Sequence, residues 1–343
     1  MPVKTLQLKG EENGSLSEKN DEETLEKELQ KGHQEPPEEQ LVRTDARRLS
    51  PLGSISVPCY RPIPAYQPPG GGSLVFSRAF SRPGFKENHV GWNKIEVPCG
   101  QCIGCRLNRS AQWALRMEHE IHFHSENCFL TLTYNDENLP GNMSLVTKHF
   151  QDFVKRLRDY YNYPKIKYYH CGEYGGKTKR PHYHACVFGF DFPDKELHQQ
   201  YKVPGVEDQI RLYRSDSLDK RWGKGFCTIG EVTWSSAAYC ARYVCDKITG
   251  PLAKEHYGER IPEYSTSSNG FGLDWYKKYN KDLWSQDFAV SRGHKVKVPR
   301  YYEKKLAEEE PLTWQLIQDT RRLKQEGKPV ESQRRLEDLE YIQ

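Results

Sequence analysis

The stretch Arg180-Pro181-His182-Tyr183-His184-Ala185-Cys186-Val187-Phe188-Gly189 leaves this chain little choice but to build a sheet. Tyr, Val and Phe favour a pleated backbone, Pro opens the run and Gly closes it. Side chains alternate along a strand, so His182 and His184 point the same way, with Cys186 behind them. Two imidazoles so placed can reach one divalent cation, and cleaving a phosphodiester at neutral pH needs a Lewis acid on the non-bridging oxygens. Two imidazoles rarely suffice, and a carboxylate as third ligand would suit Mg²⁺ or Mn²⁺. Glu173, at the end of a strand predicted over residues 165–173, meets that need if the register of the pair allows. A turn at Gly175-Gly176-Lys177 joins the two strands into a hairpin. A bare His-x-His on a strand is more often hydrogen-bonded surface. The basic residues Lys177, Lys179 and Arg180 beside it favour the functional reading, because they could hold DNA phosphates.

A second feature follows in the run AAYCARYVCDK. Ser235 or Ser236 is expected to cap a helix continuing to about Ile248. Tyr239 and Tyr243 are four apart, so both phenols face one side, with Lys247 four further on and close to that face. A phenol has a pKa of about 10, so its attack on phosphorus needs a metal's field or a neighbouring cation. Lys247 could also offset charge on the phosphate at the transition state. The competing reading is an aromatic stripe packed on the sheet, the commoner case for a lone Tyr-x3-Tyr.

Upstream, residues 128–134 read as a strand bounded by Asn135-Asp136. A helix is predicted over residues 147–160, with Phe150, Phe153, Val154 and Leu157 at i, i+3, i+4 and i+7. Strand, helix and hairpin in this order resemble a ferredoxin-like α+β unit. Residues 192–230 read as charged loops with a turn at Trp222-Gly223-Lys224-Gly225, then a short strand over 226–231. Beyond Gly250-Pro251 the chain is aromatic and Gly-rich to Tyr302, and peripheral charged helices follow.

The run Pro98-Cys99-Gly100-Gln101-Cys102-Ile103-Gly104-Cys105-Arg106 puts three thiols within reach of one metal. With Cys59 as a remote fourth ligand, a tetrahedral zinc site could form. The alternative is a Gly-punctuated turn with buried thiols before a helix, which is predicted over residues 110–122. Residues 58–72 read as an ordered Pro- and Gly-rich loop. The N-terminus has no apolar h-region and no apolar run reaches membrane-spanning length, so a cytoplasmic protein is expected, and no membrane partner. Its ten cysteines would then be thiols or metal ligands rather than disulfides.

Mean hydropathy is −0.87, yet 13 Phe, 21 Tyr and 7 Trp can still build a core. Charge is unevenly spread. Residues 1–50 hold 12 acidic and 8 basic side chains, which leaves the rest of the chain a net charge of +8. A basic body with an acidic tail fits a polyanion-binding protein. Residues 1–56 are too polar to bury a core and are expected to be disordered.

Taken together, FLTLTY, RPHYH and Tyr-x3-Tyr with a Lys resemble the three ordered motifs of the HUH-family rolling-circle replication initiators. The details are most similar to the replication initiation proteins of gokushoviruses, small single-stranded DNA phages of the microvirus group. PCYRPIPAY at 58–66, VPCGQCIGCR at 97–106 and CGEYGGKTKRPHYH at 171–184 carry the likeness. EYSTSSNGFGLDWY at 263–276 and GHKVKVPRYYEKKL at 293–306 extend it. In such proteins the chain tends to begin near the position of Cys59, so the acidic segment looks like an extension, or a start codon set too far upstream. One departure stands out. The family's Lys sits three residues after the second Tyr, where this chain has Asp246, with Lys247 next; one residue turns a helical side chain by ~100°.

The resemblance implies an HUH endonuclease domain with a ferredoxin/RRM-like antiparallel sheet flanked by helices, here over residues 111–306. A Cys-containing subregion at 57–110 would precede it and a charged helical tail at 307–343 would follow. It further implies a metal-dependent DNA nickase and strand transferase acting on a single-stranded origin through a 5′-phosphotyrosine link. The second tyrosine would act at the regenerated origin. Host polymerase and helicase would be needed in the host cytoplasm, since the chain has no P-loop signature. An HUH transposase or relaxase, or a non-catalytic nucleic-acid-binding module stacking bases on its sheet, are the other readings.

Overall fold

The structure is a computed structural model that describes residues 59–69, 72–76, 91–162, 165–202, 209–248, 250 and 252–325; of 243–246 and 325 it describes the backbone. The expected disorder of residues 1–56 and the end of the tail lie outside the described residues. Among the described residues no helix is long and apolar enough to cross a membrane.

The strand-forming runs pair as their side chains require. A seven-stranded sheet contains β4 (Asn127–Leu132), β5 (Lys167–Tyr174), β6 (Pro181–Phe188), β7 (Glu196–Tyr201), β8 (Ile210–Arg214), β9 (Cys227–Gly230) and β10 (Tyr264–Ser267). Its order is β10-β5-β6-β4-β9-β8-β7, and every neighbouring pair is antiparallel. The inner four, β5-β6-β4-β9, with a helix between β4 and β5 and a hairpin between β5 and β6, have the layout of the split βαβ unit expected from the sequence. The fold is α+β, with an antiparallel sheet flanked by helices. A smaller sheet of β1 (Ile63–Gln67), β2 (Val75–Phe76) and β3 (Asn93–Val97) precedes it in order β2-β1-β3.

Both faces of the large sheet are covered, which is why β4 is apolar on consecutive residues rather than alternate ones. On one face lie Leu130 and Leu132 of β4 and Tyr183, Ala185 and Val187 of β6. They pack under α2 (Thr147–Tyr161) and α3 (Asp216–Trp222). Phe150, Phe153, Val154 and Leu157 are buried on α2, at the predicted spacing, and each such burial contributes about 1.5–3 kcal/mol. On the other face Phe129, Cys171, Cys186 and Phe188 pack under α1 (Ile103–Ile121) and α4 (Trp234–Asp246). Ala114 of α1 and Ala237, Ala238 and Ala241 of α4 are small enough to bring these two helices close to the sheet.

The remaining elements extend this second layer. They are α5 (Leu252–Tyr257), α6 (Leu273–Gln286), the hairpin β11 (Ala289–Ser291)–β12 (His294–Val296), α7 (Arg300–Glu309) and α8 (Pro311–Gln325). Tyr276, Leu283, Ala289, Val298 and Tyr302 form a satellite core against Leu115 of α1.

Several expectations are corrected. The helix placed at Ser110 begins at Ile103, so the boundary set at residue 110 falls inside α1. The boundary set at 306 falls inside α7, whose Leu306 is buried. Residues 63–67 are a strand, not loop, because β3 supplies a pairing partner thirty residues on. The charged segment 192–230 contains β7, β8 and α3. The cap of α4 is Thr233: its hydroxyl accepts from Ser236 N, and the Ser236 hydroxyl accepts from Thr233 N, a reciprocal capping box.

Candidate metal and tyrosine site

The β5–β6 hairpin sets the site. Its loop closes with Gly175 N donating to Arg180 O at 3.0 Å and Lys179 N to Gly175 O at 2.9 Å. Lys179 takes up a left-handed conformation, φ 54°, to make the turn. This register places Glu173 directly opposite His182 and Cys171 opposite His184. All four side chains therefore point to the α1–α4 face, as alternation requires.

Glu173, His182 and His184 offer ligand atoms that all lie within 4.8 Å of one another. His182 Nε2 is 2.5 Å and His184 Nε2 2.7 Å from the same oxygen, Glu173 Oε1. Glu173 and His184 are buried and His182 nearly so. Each imidazole has its other nitrogen engaged by the protein. His182 Nδ1 donates to the Arg180 carbonyl at 3.2 Å, and His184 Nδ1 is 3.0 Å from Thr131 Oγ1 on β4, directly across from it. A cation held by both Nε2 atoms would leave each Nδ1–H on its protein acceptor, Arg180 O or Thr131 Oγ1, the arrangement that orients histidine ligands around metals.

Electrostatics separates the two rings. Burial pushes the Glu173 carboxyl up, but the two imidazoles outweigh it and hold it below its ordinary value. Burial pushes His182 down, and the Glu173 charge overcomes this and raises it. For His184 burial outweighs the Glu173 charge and lowers it. Glu173 Oε2 is buried with no hydrogen-bond partner among the described residues, a costly state for a carboxylate oxygen. Two imidazoles, a carboxylate and a vacant carboxylate lone pair fit a divalent cation. The nitrogen donors suit Mn²⁺ better than Mg²⁺.

Tyr239 comes to this cluster from α4. Its ring meets His184 edge-on, centroids 5.2 Å apart at 79°, and meets Phe129 at 6.4 Å. Phe129 in turn stacks on His184 at 5.5 Å. Tyr243 is on the next turn of the same helix, and its side chain lies outside the described residues. The helix stops at Asp246, two residues short of the predicted end. Lys247 is its C-cap at ψ 121°, so the i+4 argument that put Lys247 on the tyrosine face does not extend to it. The Lys247 carbonyl accepts from Arg106 Nη1 at 2.7 Å.

Of the basic turn residues, Lys177 and Lys179 are exposed. Arg180 pairs with Asp136 at 2.6 Å and donates to the Tyr134 carbonyl at 3.0 Å, so it also braces the hairpin against the end of β4. Sequence reasoning missed Thr131 and Phe129. The signal was present, since both lie on the alternate positions of FLTLTY that face the histidines.

The four cysteines singled out in the sequence also come together. Cys59, Cys99, Cys102 and Cys105 offer sulfurs all within 4.8 Å of one another, at the head of α1.

Comparison with known proteins adds a family. The model of the family described as Replication-associated protein ORF2/G2P matches residues 127–248, a span from the start of β4 to just past α4. The Replication-associated protein ORF2 of Spiroplasma virus 4 is 33% identical over 267 residues, covering 73% of this chain and 81% of the relative. The Replication-associated protein VP4 of Bdellovibrio phage phiMH2K is 33% identical over 265 residues, 75% of this chain and 79% of the relative. The Replication-associated protein ORF4 of Chlamydia phage 1 is 33% identical over 211 residues, 60% and 52% respectively. No solved structure matches the chain.

Proposed function

This chain belongs to the replication-associated proteins of small phages, and on that premise we propose that it is a site-specific single-stranded DNA endonuclease and strand transferase that starts rolling-circle replication. The observation that carries this reading is the Tyr239 ring set edge-on against His184, one of three side chains whose potential ligand atoms lie within 4.8 Å of one another.

In the reaction the Tyr239 oxygen attacks the scissile phosphorus of the origin. A Tyr–phosphate bond forms, the bond to the 3′ oxygen breaks, the phenolic proton leaves, and the departing oxygen takes up a proton. The products are a 5′-phosphotyrosine and a free 3′-OH. Glu173, His182 and His184 would hold Mg²⁺ or Mn²⁺, whose part is to draw charge from the non-bridging oxygens. His184 and Phe129 hold the phenol's ring in place, and Thr131 keeps the His184 ring oriented. Lys177, Lys179 and Arg180 line the approach for DNA phosphates. Tyr243, one turn beyond, would act at the regenerated origin, and the released 3′-OH would then close the circle by attacking the phosphotyrosine. The ester keeps the energy of the broken bond, so no ATP is consumed. Lys247 would contribute positive charge from the end of the helix. Host polymerase would extend the 3′-OH and a host helicase would unwind the duplex, in the host cytoplasm.

The relatives' names favour replication over a transposase or relaxase. A module that stacks bases on its sheet is disfavoured for a physical reason: α1 and α4 cover one face and α2 and α3 the other.

The test uses labelled single-stranded oligonucleotides tiling the phage origin, with Mn²⁺ or Mg²⁺ against EDTA, on a denaturing gel. A metal-dependent covalent protein–DNA band, reduced in Tyr239→Phe and absent in Tyr239→Phe/Tyr243→Phe, is expected. Tight binding with no covalent band across all oligonucleotides would refute the nuclease.

A further inference from the structure

We propose that Cys59, Cys99, Cys102 and Cys105 bind one Zn²⁺ as a four-thiolate structural site, separate from the histidine cluster. Cys102 Sγ is 3.9 Å from Cys59 Sγ, and Cys99 Sγ is 4.0 Å from Cys105 Sγ. Four sulfurs around a single ion at Zn–S of about 2.3 Å stand about 3.8 Å apart along the edges of the tetrahedron. These separations are also too long for a disulfide, whose sulfurs sit about 2.05 Å apart. They disfavour an iron–sulfur cubane, where each thiolate binds a different iron and the sulfurs splay outward, although C-x2-C-x2-C by itself admits one.

The backbone around the sulfurs is already arranged for thiolates. Cys99 N donates to Cys59 Sγ at 3.2 Å, and Gln101 N and Cys102 N donate to Cys99 Sγ at 3.4 and 3.3 Å. Such N–H donors offset the charge that four thiolates leave on the site. Helix α1 supplies a further reason. Its N-cap, Cys102, makes no side-chain capping bond and its first turn contains no acidic residue. Thiolates at Cys102 and Cys105 would put negative charge at this N-terminus, where the helix dipole favours it.

The site would join segments 40 residues apart in sequence, the lead into β1 and the start of α1. Tyr60 is buried among the four cysteines. From the same turn Arg106 donates to both Gln101 O and Lys247 O, so the metal would also steady the C-cap of the tyrosine helix.

The proposal stands whether or not the chain cuts DNA, and its test needs no activity. The full chain, purified in reducing buffer without added metal, is analysed for zinc, iron and labile sulfide. One equivalent of zinc is expected, released by a mercurial as four thiols react, retained in His182→Ala/His184→Ala, and lost in Cys59→Ser and Cys102→Ser. If a Cys→Ser variant fails to fold, Co²⁺ exchange into the wild-type chain decides. Tetrahedral thiolate coordination gives strong visible bands and sulfur-to-metal charge transfer, while coordination by Glu173 and the histidines gives neither. Zinc that follows the histidines, iron with labile sulfide, or a Co²⁺ spectrum without charge transfer would each overturn it.

Discussion

Glu173 and His182 are direct cross-strand partners, with Oε1 of one 2.5 Å from Nε2 of the other. The pairing depends on register alone, since a slip of one residue would turn Glu173 to the opposite face. The six-residue closure from Gly175 to Arg180 therefore builds the site as much as the ligands do.

Glu173→Gln keeps the size of the side chain but removes the charge that both imidazoles face. Mn²⁺ affinity, followed by loss of the free-ion electron paramagnetic resonance signal, should fall by at least about 100-fold, since even outer-shell changes cost 10–100-fold. The covalent DNA band should disappear with it. Unchanged Mn²⁺ binding would remove Glu173 from the ligand set.

Thr131→Val is nearly isosteric and deletes the hydroxyl that meets His184 Nδ1. The ring loses its orienting partner, and a drop in Mn²⁺ affinity of about 10–100-fold is expected with little change in melting temperature. If affinity holds while stability falls, Thr131 is a packing residue only.

The sequence made the central part of the fold legible because burial there is periodic. Strand β4, helix α2, the β5–β6 hairpin and α4 all announce themselves by which residues are apolar and how they are spaced. So do the ligands, since alternation puts His182 and His184 on one face. Strands β7 and β1 were not legible. Glu-Leu-His-Gln-Gln-Tyr at 196–201 lies at the sheet edge with nearly every side chain exposed, so only its long-range pairing to β8 makes it a strand. Ile63–Gln67 likewise owes its conformation to β3. Thr131 was hidden for another reason: a strand threonine is ordinary until the register shows what stands across from it.

Gly225 tests the brace behind the site. A Cβ there would sit 2.4 Å from Asn135 N and 2.7 Å from Thr133 O, backbone atoms that cannot step aside. The same approach lets Thr133 N reach Phe226 O and Asn135 N reach Lys224 O. Gly225→Ala should cost on the order of 3 kcal/mol or more and lower the melting temperature by about 10 °C. A shift under about 2 °C would mean this turn relaxes freely.

Acid should unfold the protein at an unusually mild pH, and two histidines outside the site are the reason. His119 stacks on Trp275 with ring centroids 3.5 Å apart and shares a hydrogen bond with Tyr302; His170 stacks on Phe150 at 3.6 Å and shares one with Thr266. Burial pushes each down to about 3. The unfolded chain takes up protons at these rings near pH 6.5 while the native state does not, so stability is complete above about 6.5 and is lost as pH falls toward 3. Each ring removes about 1.4 kcal/mol per pH unit in that window. His184 shifts in the same direction and His182 in the other. Urea unfolding in EDTA at pH 7.5, 6.5 and 5.5 should show a loss of about 0.7 kcal/mol over the first step and of about 2 kcal/mol over the second. Stability that stays level from pH 6.5 to 5.5 would mean that at least one of these rings reaches solvent and titrates normally in the folded protein.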